Sequence, residues 1–398
     1  MTSRRRYSYI FLFTRTFCCV DHGRCFARCL AAMLFTQLPE DVLYHILFHL
    51  DRTSLCRLSQ VCKSMNRFVN RDAVWRRIAK GCLNSGIIWN GTDIYPNIPL
   101  KERVKTAQNW YHGFCKNWTL LKWKTKLLPW LQLDGDVLYL SQAAKIGAYS
   151  LNHDSRRLQR IPENYSGHKG DVCRFVLTDS HLISAGSDGR ILVHSRRRNL
   201  SLGLMGHSQE VNCLDSKNGL IISGSRDRTA RMWTLTSSSP LGTIPMFDRV
   251  WSVAISPTQR LACVCRLGSE FRRGAGVLDI VFESPFQLFT CGYDTFVRQW
   301  DLRLSPQKCV MEWEEPHDSA LYCIQTDGNH MIASGSSYYG VVRIWDKRQT
   351  KCLQFFQLSS DSLSSPIYCL RFSSSHLYAA VATALHSLDF RQQPAHIR

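Results

Sequence analysis

An α+β multidomain chain, with a small three-helix domain and a helical stalk ahead of an all-β ring of repeats, is what two periodicities in this 398-residue sequence predict. Near the start, Leu38, Val42, Leu43, Ile46, Leu47 and Leu50 recur at helical spacing. Far downstream a short apolar strand recurs at Val172–Phe175, Val211–Leu214, Val250–Val253, Val277–Ile280, Leu321–Ile324 and Ile367–Leu370, at intervals of 39, 39, 27, 44 and 46 residues. A period near forty is that of four-stranded blades, which close into a propeller and hide most strand edges. A weaker unit over Trp130–Ser150 brings the expected count to seven blades.

Taken in order, residues 1–35 read as an unstructured basic leader. Arg4, Arg5 and Arg6 precede a short apolar stretch that Arg15 ends, too brief for a secretory signal. Cys18, Cys19, His22, Cys25 and Cys29 crowd together, but their spacing matches no paired zinc knuckle, so no metal site is assigned. Seventeen cysteines, odd in number and scattered, do not form a disulfide framework. Cys173, Cys213, Cys323 and Cys369 fall in strand-like runs and read as small buried hydrophobes in a reducing compartment, cytoplasmic or nuclear. The net charge of +19 favours acidic partners, yet it is spread over short clusters such as Arg196-Arg197-Arg198, with no single basic stripe for nucleic acid. No apolar run is long enough to span a membrane.

Residues 36–80 carry the helices. Pro39 suits a first helical turn, where its missing N–H costs nothing, and Glu40 and Asp41 complement the helix dipole. Thr53 or Ser54 is placed to cap a second helix carrying Leu55, Leu58, Val61, Cys62, Met65 and Phe68. Asp72 is placed to cap a third, presenting Trp75, Ile78 and Ala79. So few residues bury little core, which points to a partner that completes it. Residues 81–118 read as a Gly/Asn/Pro-rich linker and a stalk helix beginning at Leu100, residues 119–390 as the repeats, and 391–398 as a tail.

The succession Leu38-Pro39, Val42-Leu43, Leu58, Ser59, Val61-Cys62-Lys63, Met65 and Trp75 closely resembles the F-box family. That resemblance implies that Leu38, Pro39, Leu43, Ile46, Leu47, Leu55, Leu58, Val61 and Cys62 form the interface with, or the core behind, a Skp-type adaptor, which leads to the cullin and RING subunits of an SCF ubiquitin ligase. Ser223 to Trp233 and Arg343-Ile344-Trp345-Asp346 resemble WD40 repeats. By that resemblance His207, Ser223, Asp227 and Trp233 form a buried structural chain, although the first three mimic a hydrolase triad on paper. Other repeats are partial: His194 stands where Trp is usual, and Tyr338-Tyr339-Gly340 where Asp is usual. The 27-residue interval leaves blade four about one strand and a turn short. The combined F-box/WD40 resemblance spans roughly residues 36–390 and implies a non-catalytic subunit that captures a protein substrate for ubiquitination and proteasomal degradation.

Relatives of this kind hold phosphorylated targets with several arginines at two positions per blade on the propeller's top face. Here the first position gives Cys173, Asn212, Trp251, Leu278, Tyr322 and Tyr368, and the second Ser187, Arg226 and Tyr293. Arg226 alone fits the arginine pattern. Arg226, Trp251, Tyr293, Tyr322 and Tyr368 are therefore the expected substrate-binding residues, and they suit an aromatic anchor better than a phosphate. No Gly-rich phosphate loop or nucleophile–base pair is present, so neither catalytic residues nor cofactor is expected. A scaffold detached from any ligase and a basic nucleic-acid-binding propeller are the alternatives.

Overall fold

The computed structural model describes residues 38–151, 158–198, 200–258, 262–264, 276–304, 309–359 and 365–391. The leader at 1–35 with its cysteine–histidine cluster, and the tail beyond Arg391, lie outside these residues. The chain divides into two compact units, Met1–Ile78 and Ala79–Arg398.

The first unit contains helices α1 (Glu40–Phe48), α2 (Arg52–Leu58), α3 (Lys63–Val69) and the start of α4 (Asp72–Lys80). Pro39 is the N-cap of α1, and Glu40 and Asp41 fill its first turn. Asp51, rather than Thr53 or Ser54, caps α2, accepting the Ser54 N–H at 3.0 Å. The expected single second helix is two. Side-chain bonds to the backbone compete with the helix at the break: Asn66 Nδ2 donates to Ser59 O at 2.9 Å, and Cys62 Sγ accepts the Met65 N–H at 3.4 Å, so Cys62 caps α3. Asp72, expected as a cap, is already the first residue of α4. Leu43, Leu47, Leu55, Met65, Phe68 and Trp75 form the buried core, and the Trp75 indole N–H donates to Val69 O at 2.7 Å.

The second unit is the propeller. Six four-stranded antiparallel sheets stand with one two-stranded sheet, Val253–Ile255 with Ala262–Val264. Among the described residues there are thus six full blades rather than the expected seven, and the short interval after Val250 contributes the two-stranded sheet. The first strand of each sheet touches the first strand of the next all the way round, and the two-stranded sheet keeps its place in that inner ring. Core is shared between neighbours: Trp130, Phe175, Cys369 and Tyr378 come from three different blades into one cluster. The last blade is composite. Strand Lys116–Lys122, which crosses the expected boundary between residues 118 and 119, pairs antiparallel with Ala384–Asp389, so that a strand from before the repeats completes the final sheet.

The segment read as linker and stalk packs on this unit. In helix α5 (Leu100–His112), Trp110 is fully buried, stacks on Phe390 at 3.7 Å between ring centroids, and donates its indole N–H to Ser374 O at 3.1 Å. Asn109 Nδ2 donates to Phe390 O at 2.6 Å. Upstream, the buried carboxylate of Asp327 accepts the Asn84 N–H at 2.8 Å, and Arg103, 1% exposed, holds Asp93 through two bonds of 2.8 and 2.7 Å. Gly113 ends α5 in the left-handed region at φ 74°. We expect Trp110→Ala to destabilise the propeller by roughly 3–5 kcal/mol, read as a lower urea midpoint for the full chain. An unchanged midpoint would show that α5 is dispensable to the ring.

Candidate functional site

One complete hydrogen-bond chain locks the third blade. The Trp233 indole N–H donates to Ser223 Oγ at 2.8 Å. Ser223 Oγ lies 2.8 Å from His207 Nε2, and His207 Nδ1 lies 2.8 Å from Asp227 Oδ2. An ionised carboxylate only accepts, so Nδ1 carries the proton and Nε2 accepts from the serine hydroxyl. Asp227 also accepts from the Ser208 N–H and from Thr229 Oγ. Burial would raise Asp227, but the bonds from Thr229 and His207 outweigh it and hold the carboxyl below its ordinary range. Burial pushes His207 down, so it stays neutral. With its hydroxyl committed to Trp233 and its imidazole to Asp227, the group is satisfied and has no nucleophile to offer.

The second blade repeats the chain as far as it can: His168 lies 2.9 Å from Ser184 Oγ and 3.0 Å from Asp188. Where Trp would follow stands His194, buried beside Tyr165 at 5.5 Å between rings and driven down to about 4 by burial and by His168. In the fifth blade Trp300 donates to Thr290 Oγ at 2.8 Å, and in the sixth Trp345 donates to Ser334 Oγ at 2.9 Å. There Tyr338 occupies the aspartate's place, and Arg343 makes a buried pair at 2.6 Å with Glu315, just past the last strand of the fifth blade.

The middle of the ring is filled by the third residue of each recurrent strand: Arg174, Cys213, Ser252, Asp279, Cys323 and Cys369, all buried. Arg174 pairs with Asp279 from the fifth blade, donates to Ser252 Oγ at 3.2 Å and lies 4.0 Å over the Trp130 ring. Asp279 also accepts the Ile324 N–H at 3.1 Å. Burial pushes the thiols of Cys323 and Cys369 up, which keeps them inert. Cys173, expected with them, is half-buried, and its Sγ donates to Glu210 Oε1 at 3.3 Å.

One residue before three of these plug positions stand Trp251, Tyr322 and Tyr368, and Tyr293, at the turn before Asp294, falls in a row with them. Tyr293 and Tyr322 are 6.5 Å apart with their planes at 72°, and Tyr322 and Tyr368 are 5.7 Å apart at 83°. Trp251 joins them across Gly276, where a Cβ would lie 2.8 Å from Trp251 Cδ1 and 3.7 Å from Tyr293 Cδ2. Tyr293 is 42% exposed; Trp251, Tyr322 and Tyr368 are half-buried. Arg226 stands apart from this arc. Its N–H donates to Glu210 O at 2.9 Å and its guanidinium lies 3.7 Å from the Glu210 carboxylate, so its charge already has a partner. Asn212 links the two stretches by donating to Val250 O at 3.0 Å. Sequence reasoning missed Tyr338, which is 54% exposed and acts on Tyr322. The signal was its place at the aspartate position of the turn. Burial first, then the neighbouring Tyr293 and Tyr368, push Tyr322 up to about 12.

In the first unit the nine residues assigned to an adaptor separate by exposure. Leu43, Leu47 and Leu55 are buried, Leu38 and Leu58 half-buried, and Pro39, Ile46, Val61 and Cys62 exposed. Exposed Val42 and Phe48 extend the apolar surface of α1. Among the described residues no group of His, Cys, Asp and Glu could hold a metal ion, and no helix is long and apolar enough to cross a membrane.

The F-box-like family matches residues 35–80, and the WD domain, G-beta repeat family matches residues 198–234 and 307–346. The chain is 51% identical over 391 residues to F-box/WD repeat-containing protein 4 of Homo sapiens, covering 92% of this chain and 95% of that protein, and 51% identical over 381 residues to the protein of the same name in Mus musculus, covering 89% and 93%. Probable E3 ubiquitin ligase complex SCF subunit sconB of Aspergillus clavatus is 23% identical over 233 residues, 52% of this chain and 30% of that one. The crystal structure of the WD40 beta propeller domain of Doa1 superposes with a TM-score of 0.55 at 17% identity, covering 71% of this chain and 98% of that one, which bears on the fold alone.

His194 makes the second blade acid-sensitive. Its folded pKa of about 4 lies below that of an unfolded histidine, so the unfolded chain takes the proton first. The stability it contributes is complete above an unfolded pKa of ~6.5 and falls away, by about 3 kcal/mol, as the pH drops toward the folded value. We expect His194→Trp to shrink the loss of urea resistance between pH 7.5 and 4.5. An equal loss in both proteins would remove His194 as the cause.

Proposed function

The chain belongs to the F-box/WD repeat-containing protein 4 family, and from that premise we propose that it is a non-catalytic substrate-recognition adaptor of an SCF ubiquitin ligase, docking by its helical unit and holding a protein target on the rim of its propeller. The observation that carries the docking half is the division of α1. Leu43 and Leu47 face the core, while Ile46, Val42 and Phe48 on the same helix, with Val61 beyond it, remain exposed. So small a unit gains a second apolar surface to bury only if a partner supplies it. On this reading the partner is a Skp-type subunit, with cullin and RING subunits reached through it, and the name of the Aspergillus relative as an SCF subunit supports it. The cytoplasm or nucleus is the proposed site of action, consistent with the buried thiols of the ring.

The capture half rests on the aromatic arc. Large rings presented side by side supply contact area at little conformational cost, and a single arginine already engaged by Glu210 makes a poor phosphate clamp.

Two measurements test the halves separately. Pro39→Ala with Ile46→Ala and Val61→Ala, all exposed positions, leaves the buried core of the unit intact, and we expect co-purification with a Skp-type adaptor to fall at least tenfold while the melting temperature holds. Undiminished co-purification sinks the docking assignment. Trp251→Ala with Tyr322→Ala is expected to abolish target ubiquitination with adaptor binding unchanged; a target still modified at the normal rate would place capture elsewhere.

A further inference from the structure

The last blade gathers charge that the sequence keeps apart. Its outer strand comes from before the repeats and its other three from their end. Residues 103–133 and 362–398, which supply them, contain a single acidic residue, Asp389. That carboxylate is already engaged by Arg391 at 3.0 Å and lies 3.5 Å from His376. Lys116, Lys122, Lys124 and Lys126 on the outer margin are all exposed, and none makes an ion pair among the described residues. The backbone beneath the last three is fixed. The Trp123 N–H donates to Thr383 O at 3.0 Å, its indole N–H to Ala382 O at 2.6 Å, and the Leu127 N–H to Ala382 O at 2.9 Å. Trp123 is thereby turned onto the core, and the lysines on either side of it outward. Burial first, then Lys122, push His386 down, so the blade's own imidazole feels the local excess of positive charge.

Lysine on an exposed strand edge can serve simply to keep other strands away. The outer strands of the other full blades are Gln159–Tyr165, Ser201–Leu204, Gly242–Pro245, Met311–Glu314 and Cys352–Gln357. They contain no lysine, so a general guard does not account for this row. The edge of Lys116–Lys122 that faces away from Ala384–Asp389 has no partner strand among the described residues, and backbone groups along such an edge can accept an added one. A strand approaching these lysines must itself be negative, because like charges repel and opposite ones are drawn in. A single nucleic-acid strand is held by stacking of its bases, and the lysine row offers no exposed ring, Trp123 being packed on the core.

We propose that the outer edge of the last blade, from Lys116 to Lys126, is a docking site for an extended acidic segment of another protein. The segment adds as a fifth strand beside Lys116–Lys122 and sets its carboxylates against Lys122, Lys124 and Lys126. The site lies three strands outward from the strand that bears Tyr368 and does not rest on the capture reading above. Attraction of this kind acts before contact, raises the rate of encounter and weakens with salt.

Fluorescence anisotropy of a labelled decapeptide of alternating Glu-Ser on the full chain tests the proposal. It is expected to bind at least tenfold more tightly than alternating Gly-Ser, and at least fivefold more weakly at ~0.5 M salt than at ~0.05 M. Lys122→Glu with Lys124→Glu and Lys126→Glu should abolish binding at unchanged melting temperature. Lys→Ser at the same three positions adds no charge, should weaken binding at least fivefold, and decides the matter if the reversal does not fold. Arg197→Glu with Arg198→Glu, an exposed basic pair on the second blade, should change it less than twofold. An equal loss in that control overturns the proposal, since the whole molecule's charge would then be the attractant. The same peptide with N-methylated backbone amides should bind at least threefold more weakly; equal binding overturns the added strand. A thymidine decanucleotide that binds more tightly than Glu-Ser also overturns it, in favour of nucleic acid. Trp251→Ala with Tyr322→Ala should leave Glu-Ser binding unchanged, and a loss there would move the peptide to the aromatic rim and overturn this site. Glu-Ser binding no tighter than Gly-Ser overturns the proposal and leaves the capture reading standing.

Discussion

A buried ion pair through the middle of the ring sets the frame for everything on its face. Arg174 and Asp279 stand 105 residues apart in sequence, and both are buried. An unpaired charge there would be ruinous, whereas the pair, ringed by Ser252, the Trp130 face and the Ile324 amide, is fully satisfied. The pair joins blades two and five directly. The pair therefore acts as a register pin: each plug residue has a rim residue directly before it in sequence, so fixing Arg174, Ser252 and Asp279 also fixes where Cys173, Trp251 and Leu278 emerge. The aromatic arc owes its alignment to charges beneath it.

Much of this was legible from the residues alone, for identifiable reasons. The recurrent strands announced themselves because a strand buried between blades must be apolar on a fixed alternation, and the His207-to-Trp233 chain because its hydrogen bonds admit few substitutes. The aromatic row could be anticipated, since equivalent positions in successive blades face one way. The break between α2 and α3 could not. The spacing of Leu58, Val61, Cys62 and Met65 fits one continuous helix, and what ends it is local competition by Ser59, Cys62 and Asn66 for backbone groups. Tyr338 was hidden by its place at a position that usually serves structure. Nor did periodicity reveal that Trp110 and Asn84 belong to the propeller, because their partners, Phe390, Ser374 and Asp327, are hundreds of residues away.

The departures from the repeat pattern are informative in the same terms. His194 for Trp and Tyr338 for Asp each remove a member of a hydrogen-bond chain; His194 instead contacts the Tyr165 ring, and the sixth blade keeps its Trp345–Ser334 bond. The two-stranded sheet is the largest departure, and the inner ring tolerates it because ring contact runs through first strands, which that sheet retains.

The composite last blade imposes an order in time. Strand Lys116–Lys122 pairs with Ala384–Asp389, so some 260 residues must be synthesised between one partner and the other. At ribosomal elongation rates of ~5–20 residues per second, the early strand waits on the order of tens of seconds. Throughout that wait Trp118, Leu120 and Leu121 sit on a strand whose edge has no mate, a template for pairing with any other nascent chain. The ring is sealed by its oldest and youngest strands, and the newborn protein is most vulnerable just before it is finished. Chaperones that hold extended apolar segments would find their client in those seconds.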